Sequence, residues 1–384
     1  MTPGEQEDIV LKFLHTADWH LGRRFPAFKD EKTLTRARRD VLDRILGVAE
    51  RNTVDVVLCA GDLFDDPAPS TEWWEPLAES FSKRTWRDRR VVLLPGNHDP
   101  LLPDSVWSVN HPFRRALPSW VHVVDKDLFE LALPGDAVLY AVPCQSKAGQ
   151  RDPTLSIPKR EPGDERVRIG MVHGSTFDME GWQTNFPIAR DAVLDRGLDY
   201  LAIGDTHGFR FVPPDRKHPA TIYPGAPEAT AFDEIDPGNV AVVFVNRQRR
   251  ATVRPERVAR WTWEERTVRT LVELRQLRAR DLKDHVLRLR VEMSVSAPEY
   301  EEVERILREM EGDSATHPRV GVLDLHREQL TLDTSDMETL CQDLPEVLQA
   351  AVKKLKDCER ADPANADVAQ RALYHLYQAA RRAS

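Results

Sequence analysis

Val91-Val92-Leu93-Leu94-Pro95-Gly96-Asn97-His98-Asp99 is the stretch that decides how this chain reads. Four apolar residues, two of them β-branched, predict a buried strand. Pro95 and Gly96 end it and leave Asn97, His98 and Asp99 at its carboxyl end. A core has no use for three polar groups there. The layout recurs four times: Phe13-Leu14-His15 runs to Asp18 and His20, and Val56-Val57-Leu58 to Gly61-Asp62. Ile169-Gly170-Met171-Val172 runs to His173, and Tyr200-Leu201-Ala202-Ile203 to Gly204-Asp205-Thr206-His207. In α/β sheets, ligands sit beyond the carboxyl ends of strands. Five such ends carrying Asp, His or Asn predict one metal site assembled from five loops.

Outward from that site, strand and helix alternate. Leu34, Ala37, Val41, Leu42, Ile45 and Val48 recur at helical spacing between Thr33 and Arg51, and Glu72 to Arg84 is predicted helical. Strands are expected at Val54–Cys59, Trp120–Val124, Val138–Val142, Thr221–Tyr223 and Val240–Val245. The run from Ser156 to Asp164 has loop chemistry. Together these predict two packed β-sheets with helices outside. Beyond Trp261-Thr262-Trp263 the chain is charged through residue 285, and a small β-α-β unit follows: Val286–Val291, Glu299–Met310, Arg319–Leu325. From Ser335 it turns helical, with Leu340, Leu344, Val347, Leu348, Val352 and Leu355 in one stripe. Leu373, Leu376, Tyr377 and Ala380 form a second beyond Asp362-Pro363. The expected domains are 1–260, 261–334 and 335–384.

Composition fits a globular enzyme of about two domains: 384 residues, 41% apolar and 30% charged. No 18-residue apolar run occurs and residues 1–7 are polar, so neither a membrane span nor a signal peptide is expected. Cys59, Cys144, Cys341 and Cys358 lack CxxC spacing, which predicts reduced thiols and a cytoplasmic protein. A net charge of −9 argues against nonspecific nucleic-acid binding by the whole surface. Three local basic runs remain candidates for phosphate contact: Arg36/Arg38/Arg39, Lys83/Arg84/Arg87/Arg89/Arg90 and Arg247/Arg249/Arg250. His15 reads as a core or supporting histidine. His111, His122, His218, His285, His317, His326 and His375 carry no signal beyond solvent or core.

Asp, His and Asn without thiolate suit hard or borderline divalent ions. Asp18, His20, Asp62, Asn97, His173, Asp205 and His207 are seven candidate ligands, too many for one ion. Two ions sharing a carboxylate fit that number. Such a pair clamps the oxygens of an in-line displacement at phosphorus and makes hydroxide available near neutral pH. Mn²⁺, Mg²⁺, Fe²⁺ and Zn²⁺ all suit such a donor set. His98, next to a ligand but free of the metal, is the candidate proton donor or phosphate-stabilising group.

Asp18-x-His20, Gly61-Asp62-x-x-Asp65, Gly96-Asn97-His98-Asp99, His173-Gly174 and Gly204-x-x-His207 resemble the calcineurin-like metallophosphoesterase signature, in its usual order. His15-Thr16-Ala17-Asp18-Trp19-His20-Leu21-Gly22 and Gly61-Asp62-Leu63-Phe64-Asp65 are similar to SbcD-type nuclease subunits of double-strand-break repair complexes, as is the turn Tyr223-Pro224-Gly225-Ala226-Pro227-Glu228. The resemblance implies an α/β (α+β) fold: a four-layer α-β-β-α sandwich, a small α+β capping domain and a helical tail that docks on an SbcC-type coiled-coil ATPase. It implies a DNA substrate and a homodimer. By position, Asp18, His20 and His207 hold one ion, Asn97 and His173 the other, and Asp62 bridges. His98 is catalytic, with Asp99 and Asp65 supporting it. Asp205 departs from the pattern, which has His there. A stand-alone phosphoesterase for nucleotides or small phosphoesters, and a non-enzymatic scaffold for DNA ends or a partner, are the alternative readings. In both remaining aromatic pairs, Trp73/Trp74 and Trp261/Trp263, packing is expected rather than base stacking.

Overall fold

The computed structural model describes residues 8–29, 31–83, 89–177, 184–213, 220–312, 320–337, 341–342, 344–361 and 366–383. Arg84, Arg87, His218, His317, Arg319, Leu340, Asp362 and Pro363 lie outside the described residues, as does the side chain of Ala380. The chain separates into two compact units, Met1–Trp261 and Thr262–Ser384.

In the first unit, β1 (Ile9–Thr16), α1 (Glu31–Arg51), β2 (Val56–Cys59), α2 (Thr71–Phe81), β3 (Arg90–Leu93), α3 (Pro112–Ala116) and β4 (Val121–Val123) build one half. The other half holds β5 (Phe129–Leu133), β6 (Ala137–Ala141), β7 (Val167–His173), α4 (Ala192–Arg196), β8 (Tyr200–Gly204), β9 (Arg210–Val212) and β10 (Thr221–Tyr223). β11 (Asn239–Asn246) and β12 (Ala251–Arg257) then return to the first sheet. The strand orders are β12-β11-β1-β2-β3-β4 and β5-β6-β7-β8-β10-β9.

Central strands of such sheets are covered on both faces, which is why they read as unbroken apolar runs. Phe13, Val56, Leu58 and Val92 meet Leu139, Ile169, Met171 and Ala202 between the sheets. On the outer face of the first sheet, Leu14, Val57 and Val91 pack against Val41, Ile45 and Val48 of α1 and against Leu77 and Phe81 of α2. Outside the second sheet, Tyr140, Val172 and Ile203 pack against Ala192 and Val193 of α4. The result is an α-β-β-α sandwich. Trp73 and Trp74 pack on the core outside the first sheet, as expected of them. All four cysteines are free.

β1, β2 and β3 run parallel, as do β6, β7 and β8. The carboxyl ends within each parallel set therefore share an edge, and those ends carry the polar residues singled out above. The strands of this unit that local pattern did not reveal, β5, β9 and β12, are edge strands. β12 alternates half-buried with exposed residues and contains Pro255, which suits an edge that must not pair further.

The second unit begins with β13 (Thr262–Val268), α5 (Leu271–Arg278), β14 (Leu282–Val295), α6 (Ala297–Glu311) and β15 (Val320–Leu332), a parallel three-stranded sheet. Leu287, Leu289 and Val291 of β14 share a core with Leu274 and Leu277 of α5 and with Val303, Ile306 and Leu307 of α6. β13 and α5 occupy the charged stretch that showed no apolar pattern. α5 is nonetheless marked by a capping box, Thr270 with Glu273. The tail helices α7 (Glu346–Ala361) and α8 (Ala366–Ala383) follow. Their two stripes meet: Val352, Leu373 and Tyr377 form a cluster with Ala297, Leu332, Met337 and Cys341, and Leu344, Leu355 and Leu376 pack on it. Val347, Leu348 and Val368 stay exposed.

His15 is buried on β1 with its Nδ1 3.0 Å from the Tyr200 hydroxyl. Burial drops its pKa from 6.5 to about 3. Between those values the unfolded chain binds a proton that the folded chain refuses, so this group makes stability fall as pH falls. In EDTA, the expected loss from pH 7 to pH 5 is about 2 kcal/mol. His15→Asn removes this group's share of the slope; urea titrations of both proteins at the two pH values would show it.

Candidate metal centre

The loops after β1 and β2 are zipped together. The Asp18 amide donates to Gly61 O at 3.1 Å, His20 to Asp62 O at 3.0 Å and Leu21 to Leu63 O at 3.0 Å. Four of the seven candidate ligands sit at positive φ: Asp18 (55°), His20 (45°), Asp62 (53°) and Asp205 (109°). Non-glycine residues are rarely held there unless the surroundings impose it, and such strain concentrates at functional sites. Two glycines let the loops close on one another. A Cβ on Gly96 would lie 2.1 Å from Asp62 Oδ1, and one on Gly61 2.1 Å from His173 Nδ1.

Among the described residues, three groups of donors touch: His20, Asp65 and His98 form one, and candidate ligands alone form the other two. Asp18, His20 and His207 offer ligand atoms within 4.8 Å of one another, and so do Asp18, Asp62 and His173. Asp62 Oδ2 lies 3.7 Å from His20 Nε2 and 3.4 Å from His173 Nε2, so this carboxylate stands between those two groups. Asn97 Oδ1 is 2.9 Å from His173 Nε2. Asp205 Oδ1 is 3.9 Å from that nitrogen, and the Ser175 hydroxyl donates to its other oxygen at 2.5 Å. All seven residues named from sequence thus come together.

The imidazole tautomers favour a cation. His20 Nδ1 lies 3.1 Å from Asp65 Oδ1, His207 Nδ1 2.6 Å from Glu234 Oε1, and His173 Nδ1 2.9 Å from Ala60 O. Carboxylates and carbonyls only accept, so each Nδ1 carries a proton and Nε2 is left as the nitrogen of each ring open to a cation. Those Nε2 atoms point inward, with His20 and His207 only 3.0 Å apart. Two facing ring nitrogens beside buried carboxylates have the donor chemistry of a divalent-ion site.

Electrostatics agree. Burial, with Asp62 nearby, raises the Asp18 pKa to about 7, although His173 and His207 pull it down. Burial also opposes the Asp62 charge, but His173 outweighs it and holds that carboxyl well below its usual range. Burial lowers His20 to about 4. For His173, burial opposes protonation and Asp62 outweighs it, raising the pKa. Carboxylates packed this closely in the interior need compensating positive charge.

His98 lies at the mouth of the centre. Its side chain is 41% exposed, and its ring meets His20 edge to face at 4.8 Å. Its amide donates to Asp62 Oδ1 at 2.9 Å, and its Nδ1 is 3.4 Å from Asp65 O and 3.7 Å from Asp65 Oδ1. Asp65 also holds His20 and Arg23. Sequence alone gives Asp99 as a support for His98, and its contacts are with loop backbone. The Asp99 carboxylate is buried and accepts the Gly96 amide at 2.8 Å and the Phe64 amide at 3.0 Å, so it clamps two loop backbones.

Arg38 departs from expectation. It is buried rather than turned to a phosphate, and donates to Trp19 O (2.9 Å), Glu228 O (3.0 Å) and Ala229 O (2.7 Å). Glu234, Thr230 and Ser175 carry no signal in the sequence. Glu234 and Thr230 lie in a stretch with no strand-end signature and Ser175 just past a strand-end histidine, and only the fold brings each to its candidate ligand.

With that geometry in place, comparison with known proteins is decisive for the class. The model of the calcineurin-like phosphoesterase family matches residues 11–209, just over half of the chain. The protein belongs to that family, whose members are metallophosphoesterases with a dinuclear metal centre. It is similar to the uncharacterized metallophosphoesterase YhaO of Bacillus subtilis (strain 168), 30% identical over 236 residues, covering 58% of this chain and 55% of that one. It is also similar to the SbcD component of the nuclease SbcCD of the same organism, 33% identical over 90 residues, covering 23% of this chain and 22% of that one. The chain therefore spans about half, or less, of the length of these relatives. Among solved structures, TT1561 of Thermus thermophilus matches with 12% identity and a TM-score of 0.38, over 65% of this chain and 99% of that one. GAP50 of the Plasmodium inner membrane complex matches with 10% identity and the same score, over 65% and 89%. Among the described residues, no helix is long and apolar enough to cross a membrane.

Proposed function

We propose that this protein is a metal-dependent DNA phosphodiesterase that acts in DNA repair or DNA defence with an SbcC-type ATPase partner. The observation that carries the reading is the pair of donor groups sharing Asp18, with Asp62 standing between them and exposed His98 at their mouth. Similarity to a component of the SbcCD nuclease supports the DNA substrate. The exposed Val347, Leu348 and Val368 on the tail helices support a docked partner. A homodimer and a cytoplasmic setting belong to the same reading.

One ion would be held by Asp18, His20 and His207, the other by Asn97 and His173 with Asp205 beside them, and Asp62 would serve both. When bound, such ions supply positive charge to phosphate oxygens and acidify water. The chain does the rest. Asp65 and Glu234 orient the two histidines of the first group. His98, with Nδ1 toward Asp65, leaves Nε2 to hold or move a proton at the ester. Mn²⁺ is the first metal to test.

One observation favours a narrower substrate. The basic runs are largely engaged: Arg38 is buried, Arg39 pairs with Glu72, Lys83 with Asp43 and Arg249 with Glu165. A stand-alone phosphoesterase for nucleotides or small phosphoesters needs no DNA-binding patch. A Mn²⁺-dependent assay on single- and double-stranded DNA, cyclic nucleotides and an aryl phosphodiester separates the two. Cleavage of DNA supports the leading reading; turnover of the small esters alone sinks it.

Asp205 carries a second prediction. With Asp18, Asp62 and Asp205 ionised, three carboxylates face the four positive charges of two divalent ions, and the second site is the less electrophilic for it. Asp205→His should therefore change both Mn²⁺ affinity and the preference among Mn²⁺, Mg²⁺ and Zn²⁺. Unchanged affinity and activity would show that Asp205 stands outside the metal's reach.

A further inference from the structure

We propose that Glu234 is a positioning residue for His207, holding its imidazole so that Nε2 faces the cation site. The inference rests on the metal-centre reading above and goes past the residues that the sequence motifs name. Glu234 lies on the connection between β10 and β11, a surface segment on which the next residue, Ile235, is 77% exposed. Its own side chain turns inward and is only 9% exposed. Burying a carboxylate from a surface loop is costly unless its oxygens are engaged. They are. Oε1 lies 2.6 Å from His207 Nδ1, the Thr230 amide donates to Oε2 at 2.9 Å, and the Thr230 hydroxyl donates to Oε1.

The loop that presents Glu234 is itself pinned. Arg38 holds the carbonyls of Glu228 and Ala229. The Glu228 carboxylate receives Arg44 and the amide of Arg260 at 2.6 Å. On the far side, the Phe209 amide donates to Asp236 O at 3.1 Å, and a Cβ on Gly208 would lie 2.0 Å from Ile235 O. Glu234 therefore meets His207 from a fixed platform. The three histidines are not backed alike: His20 and His207 have carboxylates behind them, His173 a backbone carbonyl. A carboxylate behind a ligating imidazole fixes its tautomer and raises its basicity, and its loss costs about 10–100-fold in metal affinity.

The test is calorimetric titration of Mn²⁺ into the full chain as wild type, His207→Ala, Glu234→Ala and Glu234→Gln, with circular dichroism to verify the fold. The expected result is that Glu234→Ala weakens, by about 10–100-fold, the same ion that His207→Ala removes, and spares the other. Glu234→Gln keeps an accepting oxygen and recovers part of that loss. Should Glu234→Ala fail to fold, Glu234→Gln of equal size carries the test, with a smaller loss still confined to one ion. Wild-type affinity for both ions in Glu234→Ala overturns the proposal. So does equal weakening of both ions, which marks a loop brace and nothing more. A wild type that binds no Mn²⁺ overturns the metal reading itself, and this inference falls with it.

Discussion

His98→Ala is expected to lower Mn²⁺-dependent phosphodiester cleavage by about 10²–10⁴-fold while both ions remain bound. That loss corresponds to about 3–5 kcal/mol of barrier. The separation follows from where the groups sit. The His98 backbone amide is what supports Asp62, at 2.9 Å, and alanine keeps that amide. The imidazole itself stands half out of the protein against His20 and Asp65. Removing it takes away the proposed proton-handling group and leaves Asp18, Asp62, His173 and His207 in place. Measured cleavage and calorimetric metal binding should therefore part company in this variant. If activity survives intact, His98 has no part in the chemistry; if metal binding is lost with it, His98 belongs among the ligands.

The second large effect comes from a residue with no side chain. Gly96→Ala drives a Cβ to 2.1 Å from Asp62 Oδ1 and 2.3 Å from the Asp62 amide nitrogen. Neither neighbour is the loose end of a flexible side chain. Either the loop after β3 backs away, taking Asn97 and His98 with it, or Asp62 moves out from between the two donor groups. Displacements of about 1 Å at a reacting centre cost about 10²-fold, and overpacking costs about 1–3 kcal/mol of stability. Cleavage, Mn²⁺ affinity and the urea midpoint should all fall together. Gly47→Ala is the control: in α1 it meets only the tip of Arg51 at 3.3 Å, and it should leave activity untouched. A Gly96→Ala enzyme with full activity would mean that the two loops do not pack as described.

Much of the sandwich is legible in the sequence, because its central strands are covered on both sides. That burial forces runs such as Phe13-Leu14 and Val91-Val92-Leu93, which need no partner to be recognised. α1 is equally plain, since one face carries Leu34, Val41, Ile45 and Val48. β12 and β13 are not, because an edge strand buries little and so writes little into its sequence. The helical stripes of the tail are visible, but what they pack on is not. In the structure Val352 and Tyr377 meet over Leu332 and Met337, while Val347, Leu348 and Val368 are left exposed. The basic run at Arg36/Arg38/Arg39 shows the same limit, for the same letters describe a solvated arginine and one buried against three carbonyls.

By itself the sequence determined the strand ends and the candidate ligands they carry: Asp18, His20, Asp62, Asn97, His173, Asp205 and His207. These are local patterns, with apolar runs ended by turn residues and followed by polar groups that a core would reject. Tertiary structure alone decided who stands behind those ligands. Glu234 reaches His207 across 27 positions, Asp65 reaches His20 across 45, and Arg38 reaches Glu228 across 190. It also decided that Asp99 clamps backbone amides of two loops, and that Asp18 and Asp62 are held at positive φ. The physical reason is that strand periodicity and turn chemistry act between neighbours in the chain. The pairing of a carboxylate with an imidazole depends only on where the folded backbone delivers the two groups.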